Sequence, residues 1–194
     1  MTWRAAGAQV TQRQLRFGSL FVAIILAVAF ASEGTHAVTE GEQTYKGLRE
    51  LALKISPEDF GLKRDDDRIA AYGVLMEFTL PKATVTLTSY SSGDASLYFS
   101  TGGGILGGIG HETVRNAARQ FVSSAQTFLS KMKEAASFPL PPTGVTHFYV
   151  LTNHGTYGSP ELISDDLRNS KGEFFALFAA GQDVITEIRK SKTQ

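Results

Sequence analysis

The spacing of hydrophobic residues changes several times along the chain, and each change predicts a new element. Thr39 and Glu42 have the spacing of a capping box, and between about residues 40 and 56 apolar side chains recur at three- and four-residue steps, which predicts a helix. From residue 71 to residue 101 the period shortens to two, and turns divide this stretch into three strands of an antiparallel meander. Threonine alternates with apolar residues along the second strand, so we expect one face of that strand to contact solvent.

The spacing of hydrophobic residues also changes along the second half of the chain. Residues 111–136 carry one continuous apolar stripe and predict the longest helix. Residues 145–152 predict a strand, the following Asn-His-Gly turn predicts a hairpin that returns to about residue 162, and residues 172–190 predict a last helix. Because each helix has an apolar stripe to cover, the order α-β-β-β-α-β-β-α predicts an α+β fold, an antiparallel sheet of about five strands with helices packed on it.

A hydrophobic N-terminal segment precedes this fold and differs from it in composition. Arg4, Arg13 and Arg16 are the charged side chains that come before Glu33. Residues 20–31 form a block of 12 with no polar side chain at helical spacing. A bilayer-spanning helix needs about 20 apolar residues. The basic leader, the short apolar block and its small-x-small ending are typical of a secretory signal peptide.

Two interpretations of this segment lead to the same side of the membrane. In the first, residues 1–31 are a signal peptide that is cleaved after Ala31. In the second, the segment stays as a transmembrane helix, and residues 17–32 anchor the protein with its N-terminus in the cytoplasm. A polar tether over residues 32–43 and a single α+β domain over residues 44–192 follow. We therefore expect the domain outside the cytoplasm, periplasmic, secreted or membrane-anchored.

Charge and composition exclude several classes of function. The 19 basic and 19 acidic residues cancel, but residues 1–31 hold three of the basic ones and none of the acidic, which leaves 16 against 19 in the rest. A strongly basic surface is missing, so we expect no nucleic-acid partner. The chain has no cysteine, which excludes disulfides, thiolate metal ligands and a lipidated cysteine. The three aspartates at 65–67 lack calcium-loop spacing, and no metal site is predicted.

One segment is unusually rich in glycine. Six of the nine residues 102–110 are glycines, namely Gly102, Gly103, Gly104, Gly107, Gly108 and Gly110. Glycine at this density permits positive φ and a close approach of the backbone to a ligand. The spacing matches the G-x-G-x-x-G fingerprint of dinucleotide sites, but a meander precedes it and the acidic residue expected about 20 positions later is missing. We therefore expect no nucleotide and no other cofactor.

Two structural interpretations of this glycine-rich loop, residues 102–110, stay open. The simpler one is a tight apolar connection in which Ile105, Leu106 and Ile109 pack over the sheet edge. In the other, these three side chains form an exposed tip that docks a partner or the membrane. The loop amides, together with His111 and Arg115 at the start of the long helix, could also hold an anion or a small ligand.

The stretch from Ser96 to His111, with Val114-Arg115 and Ala117-Ala118 after it, resembles a segment found in a family of small uncharacterised bacterial proteins. The resemblance extends to residues 72–77 and 148–152 and covers about residues 56–190. It implies a single bacterial domain in which the glycine-rich loop is a family feature. No activity or ligand is established for that family, so the resemblance implies nothing about chemistry.

The leading hypothesis is a non-enzymatic binding or interaction module that uses the glycine-rich loop to bind a protein or a small ligand. The alternative is a small hydrolase or transferase in which His111 is the catalytic residue and the loop amides form an anion or oxyanion site. The sequence around His111 lacks the second histidine of a zincin motif, and the chain has no G-x-S-x-G nucleophile motif. Whether the protein is an enzyme therefore stays open, and the pattern favours a binding module.

Overall fold

The computed structural model describes residues 38–192, and a single antiparallel sheet lies at the centre of this part of the chain. Its strands are β1 (Ala71–Leu80), β2 (Ala83–Tyr90), β3 (Ala95–Phe99), β4 (Gly104–Ile105), β5 (Lys133–Glu134), β6 (Val145–Thr152), β7 (Gly155–Gly158) and β8 (Leu162–Ile163). Seven of them lie side by side in the order β4-β3-β2-β1-β6-β7-β5, and β8 pairs with β6.

Helices cover this sheet on both faces. The α-helices of the described residues are α1 (Glu40–Lys54), α2 (Glu112–Phe128), α3 (Ser164–Arg168) and α4 (Phe175–Ser191). Short 3₁₀ helices occupy Pro57–Phe60, Gly108–Gly110 and Leu129–Lys131. The α+β class and the order of the long elements are confirmed. The sheet is larger than the five strands predicted, because the two-residue strands β4, β5 and β8 extend it.

The predicted N-terminal leader lies outside the part of the chain that the structure describes. This applies to the signal peptide or anchor over residues 1–31 and to the membrane contact through residues 17–32. Among residues 38–192, no helix is both long enough and hydrophobic enough to cross a membrane.

Helix α1 begins where its capping residue predicts. The hydroxyl of Thr39 accepts a hydrogen bond from the backbone N–H of Glu42 at 3.3 Å, which satisfies one of the free donors of the first turn. Residues 40–43, which the sequence assigned to a polar tether, form that first turn. The helix ends at Lys54, close to the predicted end.

The larger hydrophobic core lies between the sheet and the helices α2 and α4. Val74 and Met76 of β1 and Phe148 of β6 are fully buried there against Phe121 of α2. Helix α4 approaches the sheet closely at Gly181, where a Cβ atom would lie 2.7 Å from the sulfur of Met76. The apolar stripe predicted for α2 is therefore the face that packs on the sheet.

Helix α1 covers the opposite face, and this corrects one expectation. Thr86 and Thr88 of β2 were expected to contact solvent, yet both are fully buried. The hydroxyl of Thr86 is hydrogen-bonded to Tyr45 of α1 and to Glu77 of β1, so its burial leaves no polar group unpaired. Alternation along β2 identified the polar face correctly, but a polar helix packs on that face.

The long helix α2 ends earlier than its periodicity predicts. The apolar stripe continues to Met132, which is buried, but the chain leaves the α-helix at Phe128. Lys133 and Glu134 then pair with Gly158 and Tyr157 of β7 as strand β5. Backbone pairing at the sheet edge therefore overrides helical propensity in the stretch up to residue 136.

The predicted hairpin after β6 is confirmed, but its second strand is interrupted. Thr152 pairs with Gly155 across a two-residue turn, and Gly155 has φ +117°. The pairing stops after Gly158, because the next residues include Pro160, which has no N–H to donate. Strand β8 then pairs with the first residues of β6, so β7 and β8 share one edge of that strand.

Candidate functional site

The glycine-rich loop begins with a tight turn that packs against helix α1. Gly102 and Gly103 have φ values of +95° and +81°, and the N–H of Gly102 donates to the carbonyl of Phe99 at 2.9 Å. A Cβ atom on Gly102 would lie 2.7 Å from the Cα atom of Gly41 in the first turn of α1. This contact between two backbones therefore requires glycine at position 102, and the left-handed φ favours glycine at position 103.

The middle of the loop is also built into the fold. Gly104 belongs to β4, and a Cβ atom there would lie 2.3 Å from the carbonyl oxygen of Leu97. A Cβ atom on Gly108 would lie 2.6 Å from a methyl group of Val114. Gly110 differs, because a Cβ atom there meets no atom within 4 Å and its φ is not left-handed. Five of the six glycines therefore have a structural reason, namely the two of the turn, these two, and Gly107 with its left-handed φ.

The amide of Gly107 is used within the protein rather than left open toward solvent. Gly107 has φ +69°, and its N–H donates to the side-chain oxygen of Ser96 at 3.2 Å. The N–H of Gly102 is likewise taken by Phe99. Two of the loop amides that could have held an anion are therefore engaged in internal hydrogen bonds.

The backbone carbonyl of Ile109 is held by a side chain of α2. Arg115 of α2 donates from Nη1 to the carbonyl of Ile109 at 2.7 Å. Burial raises the pKa of the nearby Asp94 carboxyl, and the backbone N–H groups of Ala95 and Ile109 oppose that rise. Arg115 thus positions the loop by a main-chain contact.

A second arginine of α2 binds the neighbouring turn. Arg119 donates from Nη2 to the carbonyl of Ser92 at 2.8 Å. The turn continues through Gly93, which has φ +94° and packs against the stem of Arg115. Both arginines therefore fix connections beside the sheet edge, and their guanidinium groups are partly used by backbone carbonyls.

The three aliphatic side chains of the loop are not equivalent. Ile105 is half-buried and packs against the larger core. Leu106 and Ile109 are 39% and 45% exposed, among the most exposed large hydrophobic residues that the structure describes. The segment is thus partly an apolar connection and partly an exposed tip, which we define as Leu106 and Ile109.

His111 lies beside this tip at the residue that precedes α2. Its backbone N–H donates to the carbonyl of Gly108 at 3.1 Å, and the side chain is exposed. Among residues 38–192, no side-chain hydrogen bond from His111 to another group is found, and the helix receives no side-chain cap from it. A general base needs an orienting partner, and the geometry supplies none for this imidazole.

A buried polar cluster beneath α1 was missed by the sequence reasoning. Arg49 of α1 donates from Nε and Nη2 to the two carboxylate oxygens of Glu77, at 2.7 Å each, and from Nη2 to the carbonyl of Phe138 at 2.8 Å. Thr86 donates to Glu77 at 2.7 Å, and the phenol of Tyr45 lies 2.9 Å from the Thr86 hydroxyl. Glu77 is fully buried.

The surroundings of this cluster keep its charges paired. Burial lowers the pKa of Arg49, but the hydrogen bonds and charge of Glu77 outweigh burial and raise it. Burial, reinforced by the charge of Glu77, raises the pKa of Tyr149 to about 12. His147 faces Glu77 across β1 and β6, and its Nδ1 is buried without a hydrogen-bond partner. We interpret the cluster as structural, since its charged groups are satisfied within the fold.

The sequence did contain a signal for this cluster. Glu77 is the one acidic residue in the otherwise apolar or neutral strand 71–80, and a carboxylate is almost never fully buried without a partner. Arg49 follows Tyr45 by one helical turn on α1, which places both on one face. What the sequence could not supply was the packing of that helix on the polar face of β2.

Comparison with known proteins adds no relative to this description. No protein-family model, no curated protein and no solved structure matches the chain.

Proposed function

We propose that this chain is a non-enzymatic binding module, and that the exposed tip, Leu106 and Ile109, is where it docks a partner protein. The observation that supports this most is that the backbone of Ile109 is held while its side chain is exposed. Its backbone carbonyl accepts a hydrogen bond from Arg115, while its side chain is 45% exposed. A fixed backbone presents the side chain at little conformational cost, which is what a docking residue requires.

The placement of the glycines supports docking through side chains better than it supports anion binding by the loop amides. Gly102 and Gly107 use their N–H groups inside the protein, so they do not form an anion cradle. Gly102 and Gly104 instead allow the backbone to approach α1 and β3 closely. The loop is therefore a support for the tip, and aliphatic side chains rather than amides are the proposed contact.

We also propose that this module works outside the cytoplasm, exported or tethered to the membrane. The support is the leader in residues 1–31, which is basic, free of acidic residues and followed by a short apolar block. Intact-mass measurement of the chain made in a bacterial host tests this. A chain beginning at Ser32 indicates a cleaved signal peptide, a full-length chain in the membrane fraction indicates an anchor, and a full-length chain in the cytosol contradicts both.

Photo-crosslinking tests the proposed tip. A photoreactive amino acid is placed at position 106 or 109 of the full-length chain, in cells of the native host. The matched controls are positions 140 and 163, where Leu140 and Ile163 are 40% and 55% exposed. We expect one adduct of the same mass from 106 and 109 and none from the two control positions.

Two further results decide the interpretation. Adducts of equal yield from all four positions would mean nonspecific collision, and an absence of adducts at 106 and 109 would mean that the tip is not an interface. In a chain with the probe at 106, Arg115→Gln should lower the adduct yield, because it releases the carbonyl of Ile109. An unchanged yield in that variant contradicts the role assigned to the fixed backbone.

A further inference from the structure

A cavity of about 360 Å³, partly open to solvent, lies between the strands β1 to β3 and the helix α4. Its inner wall is formed by aliphatic and aromatic side chains, among them Phe78, Val85, Phe99 and Ile185. Val85 and Ile185 are buried, at 3% and 4% exposure, and the two phenylalanines are half-buried against the larger core. The wall is therefore apolar and continuous with the larger hydrophobic core.

Thr146, the most buried polar residue in this wall, already has a hydrogen-bond partner within the protein. Thr146 of β6 is fully buried, and its hydroxyl lies 2.9 Å from the hydroxyl of Ser164 at the start of α3. Because these two hydroxyls satisfy each other, this part of the cavity accepts an apolar group without leaving a buried donor or acceptor unpaired.

The charged residues that line the cavity are both arginines. Arg168 of α3 and Arg189 in the last turn of α4 contribute to the lining, and no carboxylate does among the described residues. Arg168 is paired with Asp165 at 2.9 Å, but their side chains are 48% and 80% exposed. Such an exposed pair contributes about 1 kcal/mol or less, so an anion can compete for this guanidinium.

The volume of the cavity and its two arginines together restrict the class of ligand that it can bind. A volume near the lower end of the range for small-molecule sites, about 300 to 1,000 Å³, accommodates one alkyl chain of medium length rather than a two-chain lipid. A guanidinium group binds a carboxylate through two parallel hydrogen bonds. We propose that this cavity binds a free medium-chain fatty acid, with its chain against the apolar wall and its carboxylate between Arg168 and Arg189.

Equilibrium dialysis of the full-length chain against radiolabelled decanoate, below its micelle concentration, tests this proposal. We expect saturable binding of one decanoate per chain. The double variant Arg168→Gln/Arg189→Gln should weaken binding roughly tenfold, through loss of charge-assisted hydrogen bonds. The matched control Lys46→Gln/Lys54→Gln removes the same charge from α1, where both lysines pair on the helix surface, and should leave binding unchanged.

A second variant tests the apolar wall. Gln182 of α4 lines the cavity and is half-buried, so Gln182→Trp should fill the space and also weaken binding at least tenfold. Circular dichroism verifies that each variant is folded. No saturable binding to the wild-type chain, or binding that Arg168→Gln/Arg189→Gln leaves intact, overturns the proposal. Equal competition by decanol and by unlabelled decanoate overturns the assignment of the carboxylate to the arginines.

Discussion

Arg49 and Glu77 form a bidentate ion pair in the interior, with the Arg49 side chain 13% exposed and that of Glu77 fully buried. The pair joins α1 to β1, two elements whose mutual packing would otherwise depend on a small hydrophobic cluster around Leu75 and Ala52. A buried charge that keeps its partner is tolerated, whereas one that loses it is strongly destabilising. The attachment of α1 to the sheet therefore depends on both residues.

Removal of the arginine alone should destabilise the protein severely. Arg49→Met leaves the buried carboxylate of Glu77 without its cation, and we expect the free energy of unfolding to fall by about 3 to 5 kcal/mol. Urea unfolding followed by circular dichroism measures this. The double variant Arg49→Met/Glu77→Leu should recover most of the loss, because it also removes the buried charge.

The control for this prediction lies on the same helix. Lys46 and Glu42 form an exposed pair of 3.0 Å, so Lys46→Met should change the free energy of unfolding by no more than about 1 kcal/mol. A similar loss for Lys46→Met and Arg49→Met would contradict the distinction between buried and exposed pairs.

Alkaline pH should destabilise the domain through its buried tyrosines. Burial raises the pKa of Tyr72 and Tyr149 to about 12, and raises that of Tyr90 well above its usual value. The unfolded phenol ionises near 10. The folded state therefore holds these protons more tightly, so its stability from this source is complete below pH 10 and is lost as the pH rises toward 12.

The urea midpoint measured across this pH range gives the test. The wild-type midpoint should fall between pH 10 and pH 12, and Tyr72→Phe should reduce the steepness of that fall, because one proton fewer is released on unfolding. At neutral pH the same variant loses the hydrogen bond from Tyr72 to the carbonyl of Ile55, 2.7 Å long. The change in slope, rather than in the neutral midpoint, is the decisive quantity.

Alanine substitutions in the glycine-rich loop should fall into three classes. Gly104→Ala places a Cβ atom 2.3 Å from a backbone oxygen, and we expect a loss of about 2 to 4 kcal/mol. Gly103→Ala meets no atom but keeps a φ of +81°, which costs about 1 to 2 kcal/mol. Gly110→Ala has neither problem and should be neutral or slightly stabilising.

Thermal or urea unfolding of the three variants measures this order. The interpretation of the loop as a support for the tip needs Gly104→Ala to be the most destabilising of the three. If Gly110→Ala proved as destabilising as Gly104→Ala, an additional contact of Gly110 would have to exist, and the loop would need a different account.

The parts of this fold that the sequence predicted are those with local signals. The stripe from Val114 to Phe128 is buried on one face of α2, as its period requires, and Thr39 caps α1 through its hydroxyl. Strands of two residues such as β4 and β5 are too short to show a hydrophobic period, and only their backbone pairing with β3 and β7 defines them. Helix α3, five residues long, was missed for the same reason.

The candidate site also has features that local sequence predicts and features that it does not. The glycine count drew attention to residues 102–110, and Ile105 proved to pack inward while Leu106 and Ile109 are exposed. The contact of Gly41 with Gly102 does not follow from local sequence, since it joins two elements that are far apart in the chain. Long-range packing decides which glycines are structural.

A last prediction concerns Asn153, which organises the loop that precedes β1. Its side chain is buried at 1% exposure and satisfies three backbone groups of that loop. Its Oδ1 accepts from the N–H of Ala70 at 2.7 Å, and its Nδ2 donates to the carbonyls of Lys63 and Arg68 at 3.0 and 3.1 Å. Asn153→Ala leaves these groups without partners, and we expect a loss of about 2 to 3 kcal/mol.

Limited trypsin digestion separates this local effect from global destabilisation. Arg64 and Arg68 lie within the loop and are exposed, so Asn153→Ala should be cut there faster than the wild-type chain while the rest of the domain resists. Asn116→Ala, at an exposed position of α2, should leave the cleavage rate unchanged. An open loop is cut before the core unfolds, so a local effect gives faster cleavage in the loop alone. Cleavage that is uniformly faster throughout the variant chain would show instead that Asn153 stabilises the whole fold.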